Sequence, residues 1–205
     1  MKTATEALEL LRQGNHRFSN NLQDSVVQAS RSPKENYVKH QRPHTIIVGC
    51  SDSRVPAEMV FDQGLGDLFV VRVAGNIIAP SQVGSVEFAA SEFGTRLVVV
   101  LGHTACGAVN ATIRCIQQPQ NKHSSNIMSI VDRIRPHIQG LVENNAGADE
   151  DKLAHLAVHA NIRASVDHLR HGSQVLESLI ENEGLQVVGA EYNIETGDVE
   201  FIEGV

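Results

Sequence analysis

Two short runs carry side chains that could hold a metal ion: Cys50-Ser-Asp52-Ser-Arg54 and His103-Thr-Ala-Cys106. Thiolate and imidazole suit zinc by softness. Three protein ligands, Cys50, His103 and Cys106, would leave the fourth tetrahedral position for water, as catalytic zinc sites require. Structural zinc sites normally fill all four positions. Isolated cysteines after buried strands are common, so neither run is decisive by itself. Asp52 and Arg54 are placed to act on a bound group or to cap the turn after Cys50. Cys106 is expected at the start of a helix, where unpaired amides and the helix dipole favour the thiolate form.

The elements that must position these residues can be read from periodicity. Three short apolar runs rich in β-branched residues, Thr45–Val48, Leu68–Val73 and Leu97–Leu101, are each closely followed by glycine and read as strands covered on both faces. Helix-like segments Pro56–Phe61 and Ser81–Phe93 lie between them, and another helix should begin near Gly107. Ser125–Leu141 and Leu153–Asn182 read as a mostly helical region, broken by the loop Asn144–Asp151 and near Gly172. Gln186–Asn193 and Val199–Glu203 flank Glu195-Thr-Gly-Asp198, a hairpin signal that implies an antiparallel edge strand. Thr3–Phe18 reads as an amphipathic helix with Thr3 or Thr5 as N-cap, and residues 20–42 as a polar connection with one short turn at Lys34–Lys39. The expected fold is α/β: a mostly parallel sheet of about four strands with flanking helices, a C-terminal antiparallel edge strand and an N-terminal helical arm. One domain is expected over 1–205, with 1–42 the arm and connection and 43–205 the core. In such a sheet, ligands from the carboxyl ends of different strands converge where the strand order reverses.

Bulk properties narrow the function classes. A chain of 205 residues with 41% hydrophobic content can bury a substantial core. A formal charge of −7 without a basic block argues against nucleic-acid binding. No apolar run reaches membrane-spanning length and no leader pattern is evident, so a soluble, cytoplasmic protein is expected. Three cysteines are too few for a disulfide scaffold and point instead to buried, catalytic or metal-binding roles.

Taken together, the two runs resemble the β-class carbonic anhydrases, whose signature is C-x-D-x-R followed some fifty residues later by H-x-x-C and glycine, here Gly107. The resemblance continues through Val55-Pro-Ala-Glu58, Asp67–Arg72, Ala74-Gly-Asn76 and Val100-Leu-Gly-His103, and covers most of Gln41 to Ile113. It implies one Zn2+ per chain on Cys50, His103 and Cys106, and reversible hydration of carbon dioxide to bicarbonate and a proton by zinc-bound hydroxide. It implies that Asp52 accepts a hydrogen bond from that hydroxide while Arg54 holds the carboxylate off the metal. In some members the aspartate becomes a fourth ligand and closes the site. Gln41 and Phe69 match substrate-pocket residues of the plant-type subgroup, and Gly107 falls beside the last ligand. The subgroup inhibited by non-catalytic bicarbonate has a tryptophan where this chain has Ile47. Arg72 matches an arginine of that regulatory site, although a structural ion-pair role is the simpler reading. The resemblance also implies a homodimer or tetramer, with Thr3–Phe18 lying across a partner; folding back on its own domain is the alternative.

Other readings remain open on sequence alone. Hydrolysis of carbon disulfide or carbonyl sulfide would use the same ligands, and a non-catalytic zinc-stabilised domain would have Asp52 close the site. Thiol redox chemistry lacks C-x-x-C spacing. Cys115 reads as a buried structural thiol. His155 and His159 have the i, i+4 spacing of a metal pair, but Leu156 stands where an HExxH motif needs glutamate, so packing or surface exposure is expected. The remaining histidines are scattered, and nothing selects a proton shuttle. Gly64-Leu-Gly66 lacks the third glycine of a dinucleotide site.

Overall fold

The computed structural model describes residues 2–22, 41–118, 120, 123–145, 147 and 149–204. The expected turn at Lys34–Lys39 lies outside the described residues. Thr3 caps helix α1 (Ala4–Ser19) through a capping box with Glu6, which satisfies two amides at the helix start reciprocally. Five strands follow in the chain: β1 (Thr45–Gly49), β2 (Leu68–Arg72), β3 (Leu97–His103), β4 (Gln186–Tyr192) and β5 (Val199–Glu203). Between them lie α2 (Ala57–Val60), α3 (Pro80–Glu92), α4 (Gly107–Gln117), α5 (Ser125–Asn144), α6 (Glu150–His171) and α7 (Gln174–Glu183). The sheet order is β2-β1-β3-β4-β5, with all pairs parallel except β4–β5. The expected α/β sheet with an antiparallel C-terminal edge strand is the observed one.

Alternation along β3 shows why its seven residues are all buried. Val98 and Val100 enter one core with residues of α3 to α7, whereas Leu97, Val99 and Leu101 enter a second core with α1 and α2. Helices therefore cover both faces, as the continuous apolar runs require. The apolar stripe of α1 is buried within its own chain: Ala7 and Leu11 are fully buried beside Ile47, Phe61 and Val99. Asn15 fastens the helix further, donating to the Val60 and Gly197 carbonyls and accepting from the Val199 amide.

Two glycines decide how closely α6 approaches the sheet. A Cβ on Gly102 of β3 would lie 2.5 Å from Ile162 Cδ1, and one on Gly189 of β4 would lie 2.7 Å from Ile162 Cγ2. Their missing side chains let Ile162 sit on the backbone of β3 and β4. The strand order reverses between β1 and β3, since the connections from β1 lead outward to β2 and then back past β1 to β3. The crevice at the carboxyl ends of these two strands is where an open α/β sheet places its ligands.

Candidate metal centre

Cys50 directly follows β1, His103 ends β3, and Cys106 is the N-cap of α4. Their ligand atoms lie within 4.8 Å of one another, and all three residues are buried. The bend that returns Cys106 toward His103 passes through Ala105, whose φ of 55° is the left-handed region that a side chain rarely adopts. Gly75 (φ 70°) forms the opposite wall and donates its amide to Cys50 Sγ at 3.3 Å. A Cβ there would meet Ala108 and Ile134 at 2.9 Å, so only glycine fits that backbone and that space. Asn161 and Ser165 of α6 hold this wall by donating to the Gly75 and Asn76 carbonyls.

The imidazole is prepared for a metal. His103 Nδ1 lies 2.8 Å from the Thr104 carbonyl, which can only accept, so Nδ1 carries the proton and Nε2 keeps its lone pair. Nε2 is buried and has no hydrogen-bond partner among the described residues. An orphaned buried acceptor facing two thiols fits a soft or borderline cation and is costly without one. The residues present therefore fit zinc.

The two thiols behave as a coupled pair. Hydrogen bonding from Cys106 is the main cause that draws the Cys50 thiol well below its ordinary value, with the Gly75 amide assisting. Cys106 is pushed up, first by holding that hydrogen for Cys50 and then by burial. As its place at the start of α4 suggests, the Ala108 and Val109 amides pull Cys106 toward the thiolate form, against the neighbouring Cys50 and burial. Cys50 and Cys106 would both ionise on holding a dication, which would take the place of the proton they share. For His103, burial presses the imidazole down, yet the charge of Cys50 and the Thr104 carbonyl prevail and the net shift is upward.

Asp52 and Arg54 form a two-pronged ion pair at the mouth of the cluster. Arg54 Nε donates to Oδ1 at 2.9 Å and Nη2 to Oδ2 at 2.8 Å, while the Arg54 amide donates to Oδ1 at 3.0 Å. These bonds hold the Asp52 carboxyl far below the usual carboxylate range. Oδ2 lies 4.0 Å from His103 Nε2, so the carboxylate borders the metal position while facing arginine.

The match to the carbonic anhydrase family model spans residues 45–199 and includes every residue of this cluster. This chain belongs to the β-class carbonic anhydrases. Carbonic anhydrase 2 of Mycobacterium tuberculosis is 34% identical over 192 residues, covering 93% of this chain and 89% of that protein. A carbonic anhydrase of Mycolicibacterium smegmatis is 38% identical over 164 residues, covering 78% and 75%. Among solved structures, a tetrameric β-carbonic anhydrase of Sordaria macrospora superposes with a TM-score of 0.76 at 22% identity, over 86% of this chain and 89% of that one. The Coccomyxa β-carbonic anhydrase bound to acetazolamide gives 0.74 at 23% identity, over 93% and 83%. At those identities the structural likeness speaks to the fold.

The other sequence-selected residues spread apart in this β-carbonic anhydrase. Gly107 is the exposed first residue of α4, beside Cys106. Phe69 pairs in register with Ile46, four residues short of Cys50, and stacks with Phe88 and Phe93 at centroid distances of 6.4 and 6.0 Å. Gln41 is exposed and precedes β1, at the opposite end of that strand from Cys50. Cys115 is buried and stands outside the ligand cluster. Among the described residues Arg72 makes no ion pair; its Nε donates to the Cys50 carbonyl at 3.0 Å and Nη2 to the Asp52 carbonyl at 2.6 Å, clamping the loop that carries both. The roles of Thr104, Gly75 and Arg72 escape sequence reasoning because main-chain groups make half of each contact. A cleft of about 580 Å3 between α3, α5 and α6, lined by Ile77, Val83, Pro136 and His137 among others, includes none of the three ligands. The chemistry of the ligand set outweighs that cleft's size in locating the site. No helix among the described residues is long and apolar enough to cross a membrane.

Proposed function

We propose that this chain hydrates carbon dioxide reversibly to bicarbonate and a proton, with Cys50, His103 and Cys106 holding zinc and with Asp52 and Arg54 as the residues that act on the reacting water. The observation that carries this reading is the buried His103 Nε2, without a hydrogen-bond partner among the described residues and facing two thiols, with the Asp52–Arg54 fork directly beside it. Bound zinc supplies the Lewis acidity that brings deprotonation of water close to neutrality. Two thiolates temper that acidity by neutralising the dication, so groups around the metal position must compensate. Asp52, kept ionised by Arg54, accepts a hydrogen bond from the reacting water and orients it toward carbon dioxide. Arg54 occupies both carboxylate oxygens and so keeps Asp52 turned from the metal, the arrangement of an open site rather than a closed structural one.

Gln41 and Phe69 support the plant-type reading as sequence matches, together with Ile47 in place of tryptophan. Since neither borders the cluster of its own chain, the reading gives them to a pocket completed by a second copy. Phe69 lies on the edge strand β2 beside Phe88, which is half exposed, so that edge is an apolar surface suited to a homodimer or to a tetramer built from dimers.

Stopped-flow carbon dioxide hydration on metal-quantified protein, from about pH 6.5 to 9, tests the proposal, with chelator-stripped protein as the control. Activity that rises with pH and vanishes with the metal is expected. No activity at any pH with one zinc per chain would overturn it in favour of a closed structural site or another linear substrate such as carbon disulfide.

A further inference from the structure

A second group of metal-ligating side chains stands where α6 crosses β4. His155 and His159, one turn apart on α6, converge on Glu191 of β4: His155 Nδ1 is 3.3 Å and His159 Nε2 3.0 Å from Oε2. The two imidazole centroids are 4.3 Å apart, and one ligand atom from each of the three residues falls within 4.8 Å of the others. In a tetrahedral site with bonds of about 2.0–2.1 Å, neighbouring ligand atoms stand about 3.3 Å apart. Two of the three edges are therefore already near the spacing a metal would impose.

Burial makes the carboxylate the informative member. Glu191 is 6% exposed, and its Oε1 is buried without a hydrogen-bond partner among the described residues. A buried carboxylate left half unsatisfied is costly unless a cation faces it. The side chain of His155 is 51% exposed and that of His159 14%, so the cluster opens to solvent on one side and is walled by protein on the other. The close seating of Ile162 on Gly102 and Gly189 holds α6 at the depth that puts His159 over Glu191.

We propose that His155, His159 and Glu191 bind a second divalent ion of the borderline class favoured by imidazole, zinc or cobalt, with the remaining coordination position facing solvent. The ion ties α6 to β4 and neutralises the buried carboxylate. This site is independent of the hydration chemistry.

The test is a Co2+ titration of protein already carrying one zinc per chain, followed by visible absorption and by metal analysis. One further cobalt per chain is expected, with d–d bands and without thiolate-to-cobalt charge-transfer absorption, since the site holds no sulfur. His155→Ala, at an exposed position that leaves the fold intact, should weaken this binding by more than about tenfold, as should Glu191→Gln. His171→Ala, which breaks the exposed His171–Asp167 pair, should not change it, and carbon dioxide hydration per zinc should be the same in His155→Ala as in the parent. No cobalt beyond the first metal equivalent, a charge-transfer band showing exchange at the cysteines, or second-site binding that survives both substitutions would overturn the proposal.

Discussion

The Cys50–His103–Cys106 cluster and the His155–His159–Glu191 cluster each bring three ligand atoms within 4.8 Å, yet they are held in opposite ways. At the first, two of the three ligands are fixed from behind: Thr104 orients His103, the Gly75 amide meets Cys50 Sγ, and Arg72 clamps the carbonyls of Cys50 and Asp52. The ring nitrogen facing the metal position has no hydrogen-bond partner among the described residues. At the second, the imidazoles contact the carboxylate itself, and one of them is half exposed. Preorganisation by surrounding groups separates a catalytic metal site from a site whose ligands can satisfy one another.

The largest expected effect breaks the comparison at its stronger end. Cys50→Ser should lose zinc and carbon dioxide hydration together, measured by metal analysis and stopped-flow assay, because the thiolate is the soft donor at the end of β1. Full activity without zinc would remove the basis for treating this cluster as the centre.

Arg54→Ala sharpens the comparison by removing a supporting group and no ligand. Zinc content should hold while kcat/KM falls by about 10- to 100-fold, the usual cost of such a loss. The same variant has a pH signature. Arg54 hydrogen bonds are the main cause that lowers the Asp52 carboxyl in the fold, so the ion pair is present above the ordinary carboxylate value of about 3.9 and is lost only as pH falls well below it. Without Arg54 the carboxyl should titrate at higher pH, toward that ordinary value, as read from a carboxylate carbon NMR titration. An unmoved titration would show that arginine does not hold the group.

The smallest effect addresses the weaker cluster through its scaffold. In Gly189→Ala the new Cβ would lie 2.7 Å from Ile162, 3.1 Å from Glu203 Cβ and 3.2 Å from Val166, all stiff neighbours. The expected cost is about 1–3 kcal/mol in denaturant unfolding, the range for overpacking, with activity per zinc unchanged. A neutral Gly189→Ala would show that α6 is not seated against β4 as tightly as described.

Much of the zinc centre was legible in the sequence because metal chemistry restricts residue type. Cys50, His103 and Cys106 could be chosen by softness, and the apolar runs before Cys50 and through Leu101 placed them at strand ends. The His155–His159 spacing was equally visible, but it pointed to packing, since the third ligand is not on the helix. Glu191 lies 32 residues beyond His159 on another strand and carries no local motif.

By itself, then, the sequence determined the strands, most helix limits and the identity of the zinc ligands, because periodicity, capping and donor chemistry are local properties. Only the tertiary structure decided which main-chain groups orient those ligands, that α1 buries its stripe within its own chain, and that Glu191 meets two histidines. Those contacts join residues far apart in the chain, and the sheet order and the depth of α6 against Gly102 and Gly189 bring them together.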